Sequence, residues 1–114
     1  MRPLSDERHQ NLEAAARCYS NMTRRALLDT IAKHTSATML DIQRAFPGLV
    51  TTQISYGIRP LLKAGLVRTT RRTSRGRSHF YSLTPKGIQA LRDLHDELSD
   101  LLAALEAHRD ETHP

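Results

Sequence analysis

The sequence has a single cysteine, no tryptophan and only 4% aromatic residues. Cys18 by itself cannot close an intramolecular disulfide, so a disulfide-stapled scaffold is excluded and a reducing, cytoplasmic setting is expected. The scarcity of rings weighs against a single-strand binder, which stacks bases on several exposed aromatics. No stretch approaches the roughly 18 apolar residues of a membrane span. The first residues, Met1-Arg2-Pro3-Leu4-Ser5-Asp6-Glu7-Arg8, turn polar and acidic where a signal peptide needs an apolar run. The expectation is an unexported protein with no membrane partner. There is no phosphate-binding glycine loop, no His-Glu pair at zinc-protease spacing and no cysteine near a His in sequence, so neither an enzyme nor a cofactor is expected.

Acids are the most informative absence, because none occurs between Asp41 and Asp93. Ten bases occupy that interval: Arg44, Arg59, Lys63, Arg68, Arg71, Arg72, Arg75, Arg77, Lys86 and Arg92. The residues before it are nearly neutral, and those after it set Arg109 against seven acids, within a formal net charge of +5. A purely basic middle and an acidic tail read as one surface facing a polyanion and another facing away. The bland alternative is a solvated basic face without a partner.

The 114 residues, 39% of them hydrophobic, suit one domain over 1–114, with an N-terminal helix in 1–20, a core in 21–83 and a C-terminal helix in 84–111. Helical spacing of Leu12, Ala15, Ala16 and Tyr19 predicts a first helix over Ser5 to Tyr19. Asn21 or Thr23 caps a second, carrying Ala26, Leu27, Leu28 and Ile31. Thr38, three residues before Asp41, has the capping-box pattern and opens a short third helix that Pro47-Gly48 stops. Thr51 or Thr52 caps a fourth, over about 51–64, with Ile54, Ile58, Leu61 and Leu62 as its buried stripe, Gly65 as its C-terminal stop, and a bend expected at Pro60. Two short helices joined by a tight turn form a helix-turn-helix pattern.

The runs Leu66 to Arg72 and His79 to Leu83 read as a hairpin with an arginine-rich tip, a wing over 68–79. Thr84-Pro85 then supplies an N-cap followed by a proline at the first helical position. In the helix that follows, Leu91, Leu94, Leu98, Leu101 and Leu105 are spaced as a heptad seam that Leu102 widens. Such a stripe needs a partner helix. A second copy of the chain is the expected source, and packing back on its own domain is the alternative. The fold class is therefore mainly α with a small β-hairpin wing (α+β), a winged helix-turn-helix flanked by N- and C-terminal dimerisation helices.

Specific strings support this. Asn21-Met22-Thr23-Arg24-Arg25-Ala26-Leu27-Leu28 resembles the start of the second helix in ArsR-type regulators. Residues Ile54-Ser55-Tyr56-Gly57-Ile58-Arg59-Pro60-Leu61-Leu62-Lys63-Ala64-Gly65-Leu66-Val67 resemble the recognition helix and its exit. Phe80-Tyr81-Ser82-Leu83-Thr84-Pro85-Lys86-Gly87 resembles the second wing strand leading into the last helix. The resemblance covers roughly residues 21 to 92 and extends to PadR- and MarR-type regulators. It implies a homodimeric transcription factor, usually a repressor, on double-stranded DNA. A helix fits the major groove, where base pairs are distinguishable, and an arginine-tipped hairpin reaches flanking phosphates or a narrow minor groove. On that basis Gln53, Ser55, Tyr56 and Arg59 read bases, and Thr51 and Thr52 lie beside phosphate. Lys63, Arg68, Arg71, Arg72, Arg75 and Arg77 supply further backbone and wing contacts.

The zinc-sensing members of that family carry ligands on the last helix, and Asp93, His95, His108 and Glu111 have matching residue types. Twelve residues separate the two histidines instead of ten, and two extra residues turn a helix by roughly 200°, onto another face. No metal is therefore expected. No cysteine occupies the helix before the recognition helix, which excludes soft-metal sensing there, and any effector is unknown. Two other readings remain: an architectural DNA-binding protein without sequence preference, and a protein-interaction adaptor whose working surface is the acidic helix.

Overall fold

The computed structural model describes residues 4–71 and 79–112. Among the described residues five helices and three strands follow in the order α1 (Asp6–Ser20), α2 (Met22–Lys33), β1 (Ala37–Thr38), α3 (Met39–Ala45), α4 (Thr51–Lys63), β2 (Val67–Arg71), β3 (His79–Leu83) and α5 (Pro85–Thr112). Short-range capping chemistry sets several of these boundaries. Ser5 Oγ accepts from the Arg8 N–H at 3.3 Å at the start of α1, and Asn21 Oδ1 accepts from the Arg24 N–H at 3.0 Å at the start of α2. The capping box of α3 is complete: Thr38 Oγ1 accepts from the Asp41 N–H at 3.1 Å, and Asp41 Oδ2 accepts from the Thr38 N–H at 2.9 Å. These bonds, first that from the Thr38 N–H, hold the Asp41 carboxyl below its usual range.

β1 was not expected from the sequence. Its two residues pair antiparallel with β3, Ala37 opposite Tyr81 and Thr38 opposite Phe80. The result is a three-stranded sheet in the order β1-β3-β2, with Val67 opposite Leu83 in the hairpin. Two residues carry too little pattern for a strand to be read, and the pairing partner is more than forty positions away.

One hydrophobic cluster runs from Ala15 through Leu27, Leu28, Ile31, Ile42, Ile54, Ile58, Leu61 and Leu66 to Ala90. In α1 the buried set is Leu12, Ala15 and Cys18, which corrects the expected stripe at its end. Tyr19 is exposed, and the Arg25 guanidinium lies 5.4 Å from its ring centroid. A tyrosine can keep its ring half in water over a cation, whereas the small Cys18 fits the closer contact. Burial pushes the Cys18 thiol up, so it is a packing residue with little thiolate character.

α1 packs along α5, and the contact is locked by Asp93, which is buried. Arg8 Nε donates to Asp93 Oδ2 at 3.1 Å, Arg8 Nη2 donates to Oδ1, and Gln89 Nε2 donates to Oδ1 at 3.0 Å. The Arg8 hydrogen bond, against the opposing effect of burial, holds the Asp93 carboxyl below its usual range. A folded-state value below the unfolded one stabilises the fold above the unfolded pKa, about 3.9, and that contribution disappears as pH falls through the folded value. Asp93→Asn is therefore expected to be less stable than wild type at neutral pH, with the gap closing on acidification below about pH 4. Thermal melts across that range check it; a gap independent of pH would show that the ion pair does not contribute.

The exit of α4 and the start of α5 are joined by a compact junction. Gly65, at φ 74°, follows the last residues of α4, with its N–H donating to Leu62 O at 3.0 Å and the Leu66 N–H donating to Leu61 O at 3.1 Å. That is a Schellman stop, and it uses a left-handed residue that glycine adopts without strain. The Thr84 hydroxyl donates to Gly65 O at 2.6 Å, and its oxygen accepts from the Gly87 N–H at 2.8 Å. The Thr84 N–H donates to Leu66 O at 3.0 Å. Gly87 itself is buried against Leu66, close enough that a Cβ there would stand 2.3 Å from the Leu66 carbonyl oxygen.

Candidate nucleic-acid interface

The two helices α3 and α4 are connected by Phe46 to Val50, where the Leu49 N–H donates to Phe46 O at 3.0 Å and closes a tight turn. Phe46 and Leu49 pack against the core and hold the turn in place. α4 is sharply divided into two faces. Ile54, Ile58 and Leu61 are buried, whereas Thr51, Thr52, Gln53, Ser55, Tyr56, Arg59 and Lys63 are exposed. Tyr56 is 73% exposed, too open for a packing role. Gly57 lets α4 approach α2 closely: a Cβ there would lie 2.7 Å from Leu27 Cδ1 and 3.5 Å from Thr23 Cγ2.

The start of α4 differs from the expectation that Thr51 or Thr52 caps it. Val50 is the N-cap, extended at φ −87° and ψ 161°, and the threonines are the first helical residues. Val50 has no polar side chain, so the cap comes from within the helix, where Gln53 Oε1 accepts from the Val50 N–H at 3.0 Å. Thr51 Oγ1 is held from α3, accepting from Gln43 Nε2 at 2.6 Å. Gln43 was not singled out in the sequence. Its only signal there is position, on the helix that precedes α4.

Pro60 sits inside α4, and the helix continues past it to Lys63. The bond it cannot donate would have gone to the carbonyl of Tyr56, a residue on the open face, and Leu61 immediately after it is fully buried. The Arg59 guanidinium lies 5.9 Å from the Tyr56 ring centroid, so the two exposed side chains stand together. Arg68 belongs to the hairpin, where its Nε donates to Ser82 Oγ at 3.4 Å, and β2 in turn packs on α4. Arg72, Arg75 and Arg77 lie outside the described residues, as does the side chain of Arg71.

The last helix separates its two proposed roles. Its inward face is Ala90 and Asp93, and Leu91 packs against the core with Leu94 half-buried. Leu98, Leu101, Leu102 and Leu105 are 49–58% exposed. The metal candidates are not brought together: Asp93 is turned inward on Arg8, while His95 is exposed and its Nδ1 stands 3.2 Å from Asp96 Oδ1. His108 is exposed further along, and the side chain of Glu111 is outside the described residues. Among the described residues no three His, Cys, Asp or Glu side chains are grouped as metal ligands. Nor is any described helix long and apolar enough to cross a membrane.

A helix-turn-helix whose second helix buries one face and presents the other to solvent, followed by an antiparallel hairpin, has the architecture of the winged helix-turn-helix class. Residues 24–87, more than half of the chain, match the winged helix DNA-binding domain family, and the chain belongs to it. Solved structures agree on the fold. A MarR family transcriptional regulator from Enterococcus faecalis is similar over 97% of this chain and 96% of its own, at 20% identity and a TM-score of 0.64. An ArsR family transcriptional regulator is similar over 90% of this chain and 97% of its own, at 20% identity and a TM-score of 0.59. The antimony-specific transcriptional repressor AntR is similar over 93% and 90%, at 19% identity and a TM-score of 0.63. No curated protein matches the sequence.

Proposed function

We propose that this winged-helix protein is a cytoplasmic, homodimeric transcriptional regulator, a repressor without catalytic activity, that recognises a double-stranded operator of approximate two-fold symmetry. The observation that carries this reading is the division of α4: one face fully buried in the core, the other a continuous exposed set of hydrogen-bonding groups, within a segment of ten bases and no acid. A helix held rigidly from behind can present side chains to base edges without a further ordering cost, and the surrounding charge supplies affinity for phosphate. Gln53, Ser55, Tyr56 and Arg59 take the base-reading role, Thr51 and Thr52 lie beside phosphate, and Lys63, Arg68, Arg71, Arg72, Arg75 and Arg77 add backbone contacts. The exposed leucines of α5 are covered by a second copy, with Leu91 and Leu94 at the inner edge of that seam. The whole chain acts as one unit, residues 21–83 on DNA and 84–111 joining the copies.

The reading is tested by fluorescence anisotropy on DNA from upstream of the coding sequence, at about 0.15 M salt with excess random competitor. Retained binding supports it. Equal affinity for random DNA would favour an architectural role, and no affinity for either would favour an adaptor. Within the interface, Arg59→Ala is expected to relax sequence preference by about fivefold or more at one base pair, whereas removing a wing arginine weakens all DNA alike and reduces the salt slope by about one. Equal losses on operator and random DNA for Arg59→Ala would remove it from base reading.

A further inference from the structure

The open face of α5 differs between its two ends. At the start of the helix Leu83, Ile88, Leu91, Arg92, His95 and Asp96 line a groove of about 370 Å³. Leu98, Leu102 and Leu105 continue the line of Leu91 and His95 at heptad spacing, whereas Leu94 is half-buried. Beyond the groove every residue from Leu98 to Arg109 is exposed, four leucines among them. Three turns of helix without a buried face are marginal in water, so these leucines require a covering surface. The charges at the two ends are opposite. Arg92 flanks the groove, Glu106 flanks the exposed leucines, and Ser99 stands midway, all three exposed. Seven residues are close to two helical turns, so the three lie along one flank of the face.

On the reading that a second copy covers α5, we propose that the two copies pair their last helices antiparallel about a two-fold axis beside Ser99, with Arg92 of each chain against the partner's Glu106. In an isologous contact, when one residue meets a second, the second meets the first in the other copy, so a single register forms the ion pair twice. The same register lays the partner's Leu105 into the groove between Leu91 and His95, and Leu98 against the partner's Leu102. Parallel pairing gives neither contact. It sets each residue beside its own equivalent, so groove faces groove and His95 meets the partner's His95. Arg92 then stands about 21 Å along the axis from the partner's Glu106, fourteen residues away. Charges that flank an apolar seam set the orientation of paired helices, and here they favour the antiparallel one.

Within one chain Arg92 and Glu106 are also about 21 Å apart, beyond the screening length at about 0.15 M salt, so energetic coupling between them reports the contact between copies. Sedimentation equilibrium of the full-length protein at that salt gives the dimer dissociation constant. Arg92→Glu and Glu106→Arg each place like charges together at both pairs, and each is expected to raise the constant about tenfold. The double variant exchanges the charges and restores the pairs. Its constant should return to within about threefold of wild type, where independent effects would give about a hundredfold. Circular dichroism of each variant confirms a folded core. Single variants that leave the constant unchanged, or a double variant no better than the product of the two, overturn the antiparallel register and leave the dimeric regulator reading intact. A wild type that is monomeric at every concentration overturns that reading, and the register with it.

Discussion

Replacing Leu98, Leu102 and Leu105 together by Glu is expected to give a monomer whose affinity for a two-fold operator is lower by about 100-fold or more. The three leucines stand between 49% and 58% exposed in the isolated chain, so they contribute little to its own core and their substitution leaves that core whole. Their spacing of four and three repeats the heptad register along a helix of 28 residues. Six charges brought together across a two-fold seam cannot be desolvated, and the copies separate. Each half-site then binds independently, without the gain in effective concentration that linkage provides. Sedimentation velocity and operator titration read the two effects separately. A triple variant that still sediments as a dimer would show that another surface joins the copies, and a wild type that is monomeric at all concentrations would remove the seam altogether.

Gly87→Ala is expected to be the most damaging alanine substitution among the described glycines. Its Cβ would stand 2.3 Å from the Leu66 carbonyl oxygen and 3.0 Å from both Leu66 C and Cα. Those are backbone atoms, fixed by the Schellman stop of α4 and by the Thr84 N–H on the same carbonyl, so no rotamer change relieves the overlap. Overpacking of this kind costs about 3 kcal/mol, which in a chain of this size lowers the melting temperature by roughly 10–15 °C. Because Thr84 ties the start of α5 to Gly65, any relaxation also displaces the end of α4, and on the proposed reading of that helix operator affinity should fall with stability. Gly48→Ala is the matched control: nothing lies within 4 Å of its Cβ position, and a change within about 0.5 kcal/mol is expected. A Gly87→Ala protein with wild-type melting would show that the junction yields more easily than its backbone contacts imply.

Both predictions depend on features of unequal legibility. The leucine repeat stands in the sequence, and so does the capping box of α3, the glycine that ends α4 and the threonine-proline pair that begins α5. Each of these is a relation between residues three or four apart, or adjacent, and local physics fixes it before any tertiary contact forms. The candidate interface was legible for the same reason: the spacing of Ile54, Ile58 and Leu61 assigns one face of α4 to the core, and the remaining residues must face outward.

Other features depend on what meets what in space. Asp93 looked like a possible ligand beside His95, but its partner is Arg8, 85 positions away, and the contact of α1 with α5 brings them together. β1 exists only because β3 offers it an edge, and Tyr19 yields its place in the core to the smaller Cys18. The cap of α4 required knowing that the chain reaches Val50 in an extended conformation, which makes Gln53 the capping residue in place of either threonine. Sequence by itself determined the order of the helices and the hairpin, the basic middle and the outward face of α4, because periodicity and net charge are properties of the chain. The tertiary structure alone decided which polar groups are already engaged, because close packing and hydrogen-bond geometry select partners at distances that no local pattern encodes.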